Sequence, residues 1–333
     1  MINAWAATGA KQKLEPFSYD PGPLGAEEVE VAVEHCGLCH SDISIINNDW
    51  GFSSYPVVPG HEVIGRVVAA GPNAKGVKIG DRVGIGWNAG SCQHCHQCLG
   101  GHQNLCSEAQ PTIAGHHGGF ADRVRTQWPW AIPIPDGLSP ADAGPLLCGG
   151  ITVFAPFKVF DIKPTAHVGV VGIGGLGHLG VKFANAWGCE VTAFTSTDSK
   201  ADEARAFGAH NVVNSRNGDD LKRMAGTLDM LLVTVNVPLD WRAMLATLRP
   251  QGRLHVVGAV LKAIPVMAFD LIAAQKSVSG SPTGSPVDIA EMLAFSKRHS
   301  ILPQTEHFPL AKVNDAIQHL LDGKARYRIV LDV

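Results

Sequence analysis

Four cysteines stand close together as Cys92-x2-Cys95-x2-Cys98-x7-Cys106. That spacing lets one short loop wrap four thiolates tetrahedrally around Zn²⁺. An iron–sulfur cluster is the rival, but the bacterial ferredoxin run closes with three residues and a proline after its last cysteine, which Cys106-Ser107 does not match. A loop of free thiols is the plain alternative. Four protein ligands leave no open coordination position, so the expected role is structural. The intervening His94, His96 and His102 are then expected at the surface. A second stretch points to phosphate chemistry. His167–Val171 is largely apolar, Gly172, Gly174 and Gly177 fit G-x-G-x-x-G, and Leu176, Leu179, Phe183 and Trp187 follow at helical spacing. Strand, glycine turn and helix in that order aim backbone N–H groups and a helix N-terminus at a pyrophosphate. The bare pattern is weak, because glycine-rich loops occur in many α/β proteins.

Other chemistry-bearing residues are dispersed: Cys36-Gly-Leu-Cys39-His40-Ser41-Asp42, Gly60-His61-Glu62 and Cys148. Taken singly, His61 reads as a hydrogen-bonded core histidine, Cys148 as a buried thiol, and the C-x-x-C pair as ambiguous. A zinc site that does chemistry needs about three protein ligands and one open position, a set that two cysteines and one histidine supply.

The elements that must hold these groups divide by texture. Up to Cys148 the chain reads as β-rich: Glu28–Cys36 alternates, with Val29, Val31 and Val33 on one face, and further strands are predicted at Val63–Ala69, Arg82–Trp87 and Phe120–Arg125, with no long helix until about Ser139. Beyond Cys148, predicted strands at Val168–Val171, Glu190–Thr195, Asn211–Val213, Asp229–Val235, Arg253–Val257 and Ser277–Gly280 alternate with helical segments such as Ser199–Phe207 and Leu239–Leu248. That alternation predicts a doubly wound parallel sheet with a cofactor at its carboxyl edge. After a Gly/Pro/Ser-rich hinge at Gly280–Pro286 come two helices, Val287–Arg298 and Ala311–Leu321, and a strand, Arg328–Val333. The tail is expected to return to the first domain.

At 333 residues, 45% apolar and 17% charged, the composition is that of a soluble globular chain of about two domains. The net charge of -3 is small and dispersed, and Ser91–Cys106 holds no Lys or Arg, which argues against nucleic acid or an anionic membrane as partner. The N-terminal stretch has no apolar core of signal type, and the apolar windows near Val168 and Val256 are broken before they reach spanning length. A cytoplasmic location is the default expectation, and eight cysteines then mean metal ligands or free thiols rather than disulfides.

Taken together, Cys-Gly-Leu-Cys-His-Ser-Asp (36–42), Asn-Asp-Trp-Gly (48–51), Tyr-Pro-Val-Val-Pro-Gly-His-Glu (55–62), the four-cysteine loop, Cys-Gly-Gly-Ile-Thr (148–152) and the glycine turn resemble the zinc-dependent medium-chain dehydrogenases, most closely their cinnamyl alcohol dehydrogenase-like branch. The resemblance spans nearly the whole chain. It implies a β-rich GroES-like catalytic domain (residues 1–148 and 283–333) carrying an inserted Rossmann domain (149–282). It also implies a catalytic zinc on Cys39, His61 and Cys148 with Glu62 beside it, a carboxylate, Asp42, that orients the imidazole, and cofactor contacts from His40, Thr152 and the turn Gly172, Gly174, Gly175, Leu176 and Gly177. Two zinc ions per chain are expected. Ser41 would pass the alcohol proton onward; many relatives place a His three residues later, where this chain has Ser44.

The implied activity is hydride transfer between NADP(H) and a primary alcohol or aldehyde, medium-sized and aromatic or aliphatic, with Trp50 and Trp87 on the pocket wall and Pro282 and Thr283 near another edge. NADP is read from the residues as well. Where NAD sites carry an Asp or Glu at the end of the second strand, this chain has Thr195-Ser196-Thr197, with Lys200 nearby to meet a 2′-phosphate and Asp198 assigned to capping the next helix. Homodimers are common in the resembling branch. The competing readings are a binding protein that carries a zinc ribbon and a noncatalytic nucleotide-binding relative; intact Cys39, His61, Glu62 and Cys148 argue against the latter.

Overall fold

Val29, Val31 and Val33 are all buried on the strand Glu28–Leu38, as their alternation requires. In the computed structural model, which describes residues 1–333, that strand is the hub of a seven-stranded sheet. It pairs antiparallel with Val63–Ala70, with Arg123–Gln127 and with Arg328–Asp332. The last of these carries Thr305–Pro309 alongside it in parallel. Two units result: Met1–Ile151 with Thr283–Val333, and Thr152–Pro282. No helix is long and apolar enough to cross a membrane.

Two local differences from the sequence reading have clear causes. A short helix, His40–Asn47, lies in the stretch read as strands with no long helix. Its β-branched Ile43, Ile45 and Ile46 mask it in a propensity reading, yet they are buried. Its start is held by the Cys39 N–H, which donates to Asp42 Oδ2 (2.8 Å), and its end by Asn48 in the left-handed conformation (φ 59°). The strand expected at Phe120–Arg125 instead begins at Arg123. Phe120 and Ala121 are used by the first strand, Ile2–Ala6, through Trp5 N–H to Phe120 O (2.8 Å) and an Ala4–Ala121 bridge.

The second unit is a sheet of six parallel strands in the order Asn211–Asn214, Glu190–Thr195, His167–Val171, Leu228–Val233, Leu248–Val256, Ser277–Gly280. Its connections reverse direction beside His167–Val171, and that switch point is where such sheets bind ligands. The glycine turn opens there.

His255, fully buried on Leu248–Val256, ties that strand to the sheet's edge: Nδ1 meets Ser279 Oγ and Nε2 meets Ser281 Oγ, both at 2.9 Å. Burial, then the nearby Arg253, push its pKa from 6.5 down to about 4. The folded protein therefore refuses a proton that the unfolded chain takes up below pH 6.5. Stability is expected to fall as pH drops from about 6.5 to about 4, by up to about 3 kcal/mol from this group. Urea unfolding across that window should show a shallower pH slope in His255→Gln; an unchanged slope would rule out His255 as the source.

Candidate active site

Asp42 lies in the first turn of His40–Asn47, fully buried, and its two oxygens organise the residues around it. Oδ2 accepts the Cys39 N–H, while Oδ1 accepts the Gly60 N–H (2.8 Å) and faces His61 Nδ1 (2.9 Å). A carboxylate oxygen can only accept, so Nδ1 donates to Asp42 and Nε2 is the nitrogen turned toward the thiols. Nε2 points at Cys148 Sγ, 3.2 Å away, and Cys39 Sγ lies 4.0 Å from Cys148 Sγ. Cys39, His61, Glu62 and Cys148 each bring one ligand atom into a group spanning no more than 4.8 Å, and all four are buried. A zinc tetrahedron with bonds of about 2.0–2.3 Å needs ligand atoms roughly 3.5–3.8 Å apart, so the donor set fits that ion.

Burial pushes the Glu62 carboxyl up, and the Arg328 guanidinium opposes it. Glu62 Oε1 accepts from Arg328 Nη2, while Oε2 is buried with no hydrogen-bond partner. A buried carboxyl beside two thiols and an imidazole is a donor set that suits a divalent cation. Cys39 is held well below the ordinary thiol value, first by the hydrogen bond from Cys148 and against burial, with Arg328 and His61 adding to it. For His61, burial alone would push the imidazole down, but Asp42 and then Cys39 hold it well above the ordinary value. Arg328 was not singled out from the sequence. Its signal was there: an Arg opening the apolar run Arg-Ile-Val-Leu on a buried strand demands a buried partner.

Around this group, Ser41 Oγ is 3.7 Å from Cys39 Sγ. The Trp87 ring stands edge-on to His61 with centroids 5.1 Å apart, and Trp50 meets Trp87 at 5.9 Å. Both tryptophans are half-buried against Ile45, Val57 and Ile113, so each serves a small apolar cluster as well as facing the site's surroundings.

The four-cysteine loop forms a separate cage. Sγ–Sγ separations are 3.5 Å for Cys92–Cys106, 3.8 Å for Cys95–Cys106 and 3.9 Å for Cys92–Cys98. A tetrahedron of about 2.3 Å metal–sulfur bonds has edges of about 3.8 Å. No disulfide forms. Backbone N–H groups of Cys95, Cys98 and Glu108 donate to Cys92, Cys95 and Cys106 sulfurs at 3.4–3.5 Å, which stabilises thiolates. His94, His96 and His102 are exposed, outside the cage.

In the second unit, Gly172 takes φ +88° and a Cβ at Gly177 would lie 1.7 Å from Gly172 O, so both glycines are required by the turn. A Cβ at Gly174 would meet nothing within 4 Å. The protein's own packing does not need that glycine; the open space beside it suits a pyrophosphate pressed against the backbone. Gly175 and Leu176 lead into the helix Gly177–Trp187. Lys200 Nζ donates to Ile173 O in this turn (3.1 Å), and Ser196 and Thr197 are exposed. Two sequence expectations need correcting here. Thr195 is buried and spends its hydroxyl on Thr197 O (2.9 Å), so it does not face a ligand. Asp198 is not a helix cap: its Oδ1 accepts from Asn214 Nδ2 (3.1 Å), because the chain enters the helix through a 3-10 turn, Asp198–Lys200. His40 is exposed at its helix N-terminus, and Thr152 is buried.

The family model "Alcohol dehydrogenase GroES-like domain" matches residues 25–136, and "Zinc-binding dehydrogenase" matches 175–298. The chain is 53% identical to an aldehyde reductase, AdhA, of Synechocystis over 331 residues, covering 99% of this chain and 98% of that protein. The structure is similar to a cinnamyl alcohol dehydrogenase from Sorghum bicolor, with TM-score 0.96, 37% identity and coverage of 99% and 97% of the two chains. It is similar also to the cinnamyl alcohol dehydrogenase of Helicobacter pylori complexed with NADP(H), with TM-score 0.91, 28% identity and coverage of 99% and 97%.

Proposed function

The chain belongs to the zinc-binding alcohol dehydrogenases, in their cinnamyl alcohol dehydrogenase-like branch, and from that membership we propose that it is an NADPH-dependent reductase of medium-sized aromatic or aliphatic aldehydes, reversible to the primary alcohols. The observation that carries the reading is the buried group of Cys39, His61 and Cys148, with the Glu62 carboxyl beside them. We assign Cys39, His61 and Cys148 to one zinc and Cys92, Cys95, Cys98 and Cys106 to a second. Bound at the first set, zinc would polarise the substrate oxygen, and a reduced nicotinamide would supply hydride. Asp42 fixes the His61 tautomer, so that Nε2 is the nitrogen offered to the metal. Ser41 lies beside Cys39 and is the hydroxyl positioned to give a proton to the oxygen of a reduced substrate or take one from an alcohol. Ser44 cannot take up a proton as an imidazole would, so proton exchange with solvent lacks that relay. Trp87, set against His61, and Trp50 behind it offer a flat apolar wall for an aromatic or alkyl chain. Reduction of benzaldehyde and hexanal by NADPH, abolished by a chelator and restored by Zn²⁺, is the expected result; no turnover across an aldehyde panel would overturn it.

The cofactor preference rests on Ser196, Thr197 and Lys200. With no acidic side chain at the end of Glu190–Thr195, hydroxyls and a lysine held at the glycine turn favour a 2′-phosphate. Charge-assisted contacts of this kind give roughly 10- to 100-fold in kcat/KM for NADPH over NADH. Ser196→Asp with Lys200→Ala should erase or reverse that ratio; a ratio of one in the unaltered enzyme, or one the pair leaves untouched, refutes the assignment.

We also propose a homodimer. Ser277–Gly280 ends its sheet with an unpaired edge, and Leu261, Met267, Phe269 and Ile272 are each 60–72% exposed in the chain just before it. A second copy pairing by a two-fold axis covers both features at once. Light scattering should give twice the chain mass of 35.2 kDa, and Phe269→Glu with Ile272→Glu should give monomers; a monomer in the unaltered protein refutes it.

A further inference from the structure

We propose that Cys92, His94 and Glu108 form an outer metal site that shares Cys92 with the four-cysteine cage and serves as the path by which the cage takes up and releases its zinc. The inference rests on the reading of that loop as a zinc cage. The three residues bring a sulfur, a ring nitrogen and a carboxylate oxygen to within 4.8 Å of one another. Zn²⁺ accepts each of these donor types, and three ligands leave a position open for water or an incoming partner.

Access and charge both favour this side of the cage. Cys98 and Cys106 are buried and Cys92 and Cys95 are half-buried, while His94 and Glu108 are exposed and neither side chain is engaged in a hydrogen bond or ion pair. An ion arriving from water on the Cys92 side therefore meets His94 and Glu108 before it can reach the buried sulfurs of Cys98 and Cys106. Four thiolates around one Zn²⁺ carry a net charge of about -2. From Val83 to Asp122 the sequence contains neither Lys nor Arg to offset it. A second divalent cation at the rim would be drawn to that excess charge, and a thiolate sulfur keeps lone pairs with which to bridge two ions. Transfer inward is ligand exchange without redox. The sulfurs of Cys95, Cys98 and Cys106 replace the His94 nitrogen, the Glu108 oxygen and water, and each thiol releases its proton to solvent. Release runs the same steps backward.

The test follows zinc leaving the zinc-loaded protein for a chromogenic pyridylazo chelator, and Zn²⁺ returning to protein stripped by it. The cage is assigned to the phase that persists in Cys148→Ser protein. His94→Ala with Glu108→Gln should slow release and uptake by the same factor, roughly tenfold, with the final zinc content unchanged. The control pair His96→Ala with His102→Ala, exposed on the same loop but outside the triad, should leave both rates at the wild-type value. Wild-type rates in the triad variant overturn the proposal, as does equal slowing by the control pair or loss of the cage's zinc at saturation. A wild-type protein with no zinc in the loop overturns the cage reading itself, an outcome distinct from a loaded cage with unaltered rates.

Discussion

Cys148→Ser protein is expected to lose turnover by roughly 10³-fold or more in kcat/KM, and zinc to fall from two ions per chain to one, while the circular dichroism spectrum stays that of the wild type. Serine is close to cysteine in volume, so the buried space is kept. What goes is a thiolate. Cys148 follows the 3-10 turn Gly144–Leu147, whose four residues are all buried, so packing is expected to hold this backbone in the variant. Gly144 must be small there, since a Cβ would lie 2.6 Å from Glu62 O. Two outcomes would sink the reading: activity within tenfold of wild type, or a protein that fails to fold, which would make Cys148 a structural residue.

Cys95→Ser should act oppositely, striking stability before chemistry. Cys95 starts the short helix His96–Leu99, its Sγ accepting from the Cys98 N–H, and it is one of the four cage sulfurs. Without it the loop loses its metal cross-link and three thiolates repel one another. The loop is also anchored outward: Ser91 N–H donates to Gln127 Oε1 (2.9 Å), and Asn104 Nδ2 donates to Thr283 O (2.7 Å), where the return segment begins. A loss of about 4 kcal/mol or more is expected. In a unit of this size that lowers the unfolding midpoint by at least about 8 °C. A scanning calorimetry trace unchanged in the variant, with zinc content still two, would remove the cage from the fold's supports.

What could be read ahead of the structure followed periodicity and local spacing. Glu190–Thr195 falls on its predicted bounds because a buried parallel strand between Gly188 and Ser196 leaves an unbroken local signal. The grouping of the four cysteines was legible because they share one loop. The buried group of Cys39, His61 and Cys148 was not, since the three are far apart along the chain; only the family resemblance gathered them. Arg328 escaped both routes, having no spacing relation to Glu62 and being visible only as a charge in an apolar strand. The helix His40–Asn47 was hidden because packing of Ile43, Ile45 and Ile46 overrode their strand preference. The fate of the Thr195 hydroxyl and of Asp198 depended on which backbone carbonyl and which side chain lay across the turn, and no local rule supplies that.

Arg328 closes the site from 266 residues beyond Glu62 and 289 beyond Cys39. The whole of Thr152–Pro282 is synthesised between them. On the ribosome, the nucleotide-fold unit is contiguous and complete first, while the sheet around Glu28–Leu38 waits for its antiparallel partner Arg328–Asp332. Until that strand arrives, Glu62 and Cys39 lack their balancing Arg328, so the site is expected to mature last, after a stage with one contiguous unit complete and one sheet edge open. Conditions that slow the late pairing, such as low temperature or crowded expression, then act on yield through that edge rather than through the stability of the finished protein.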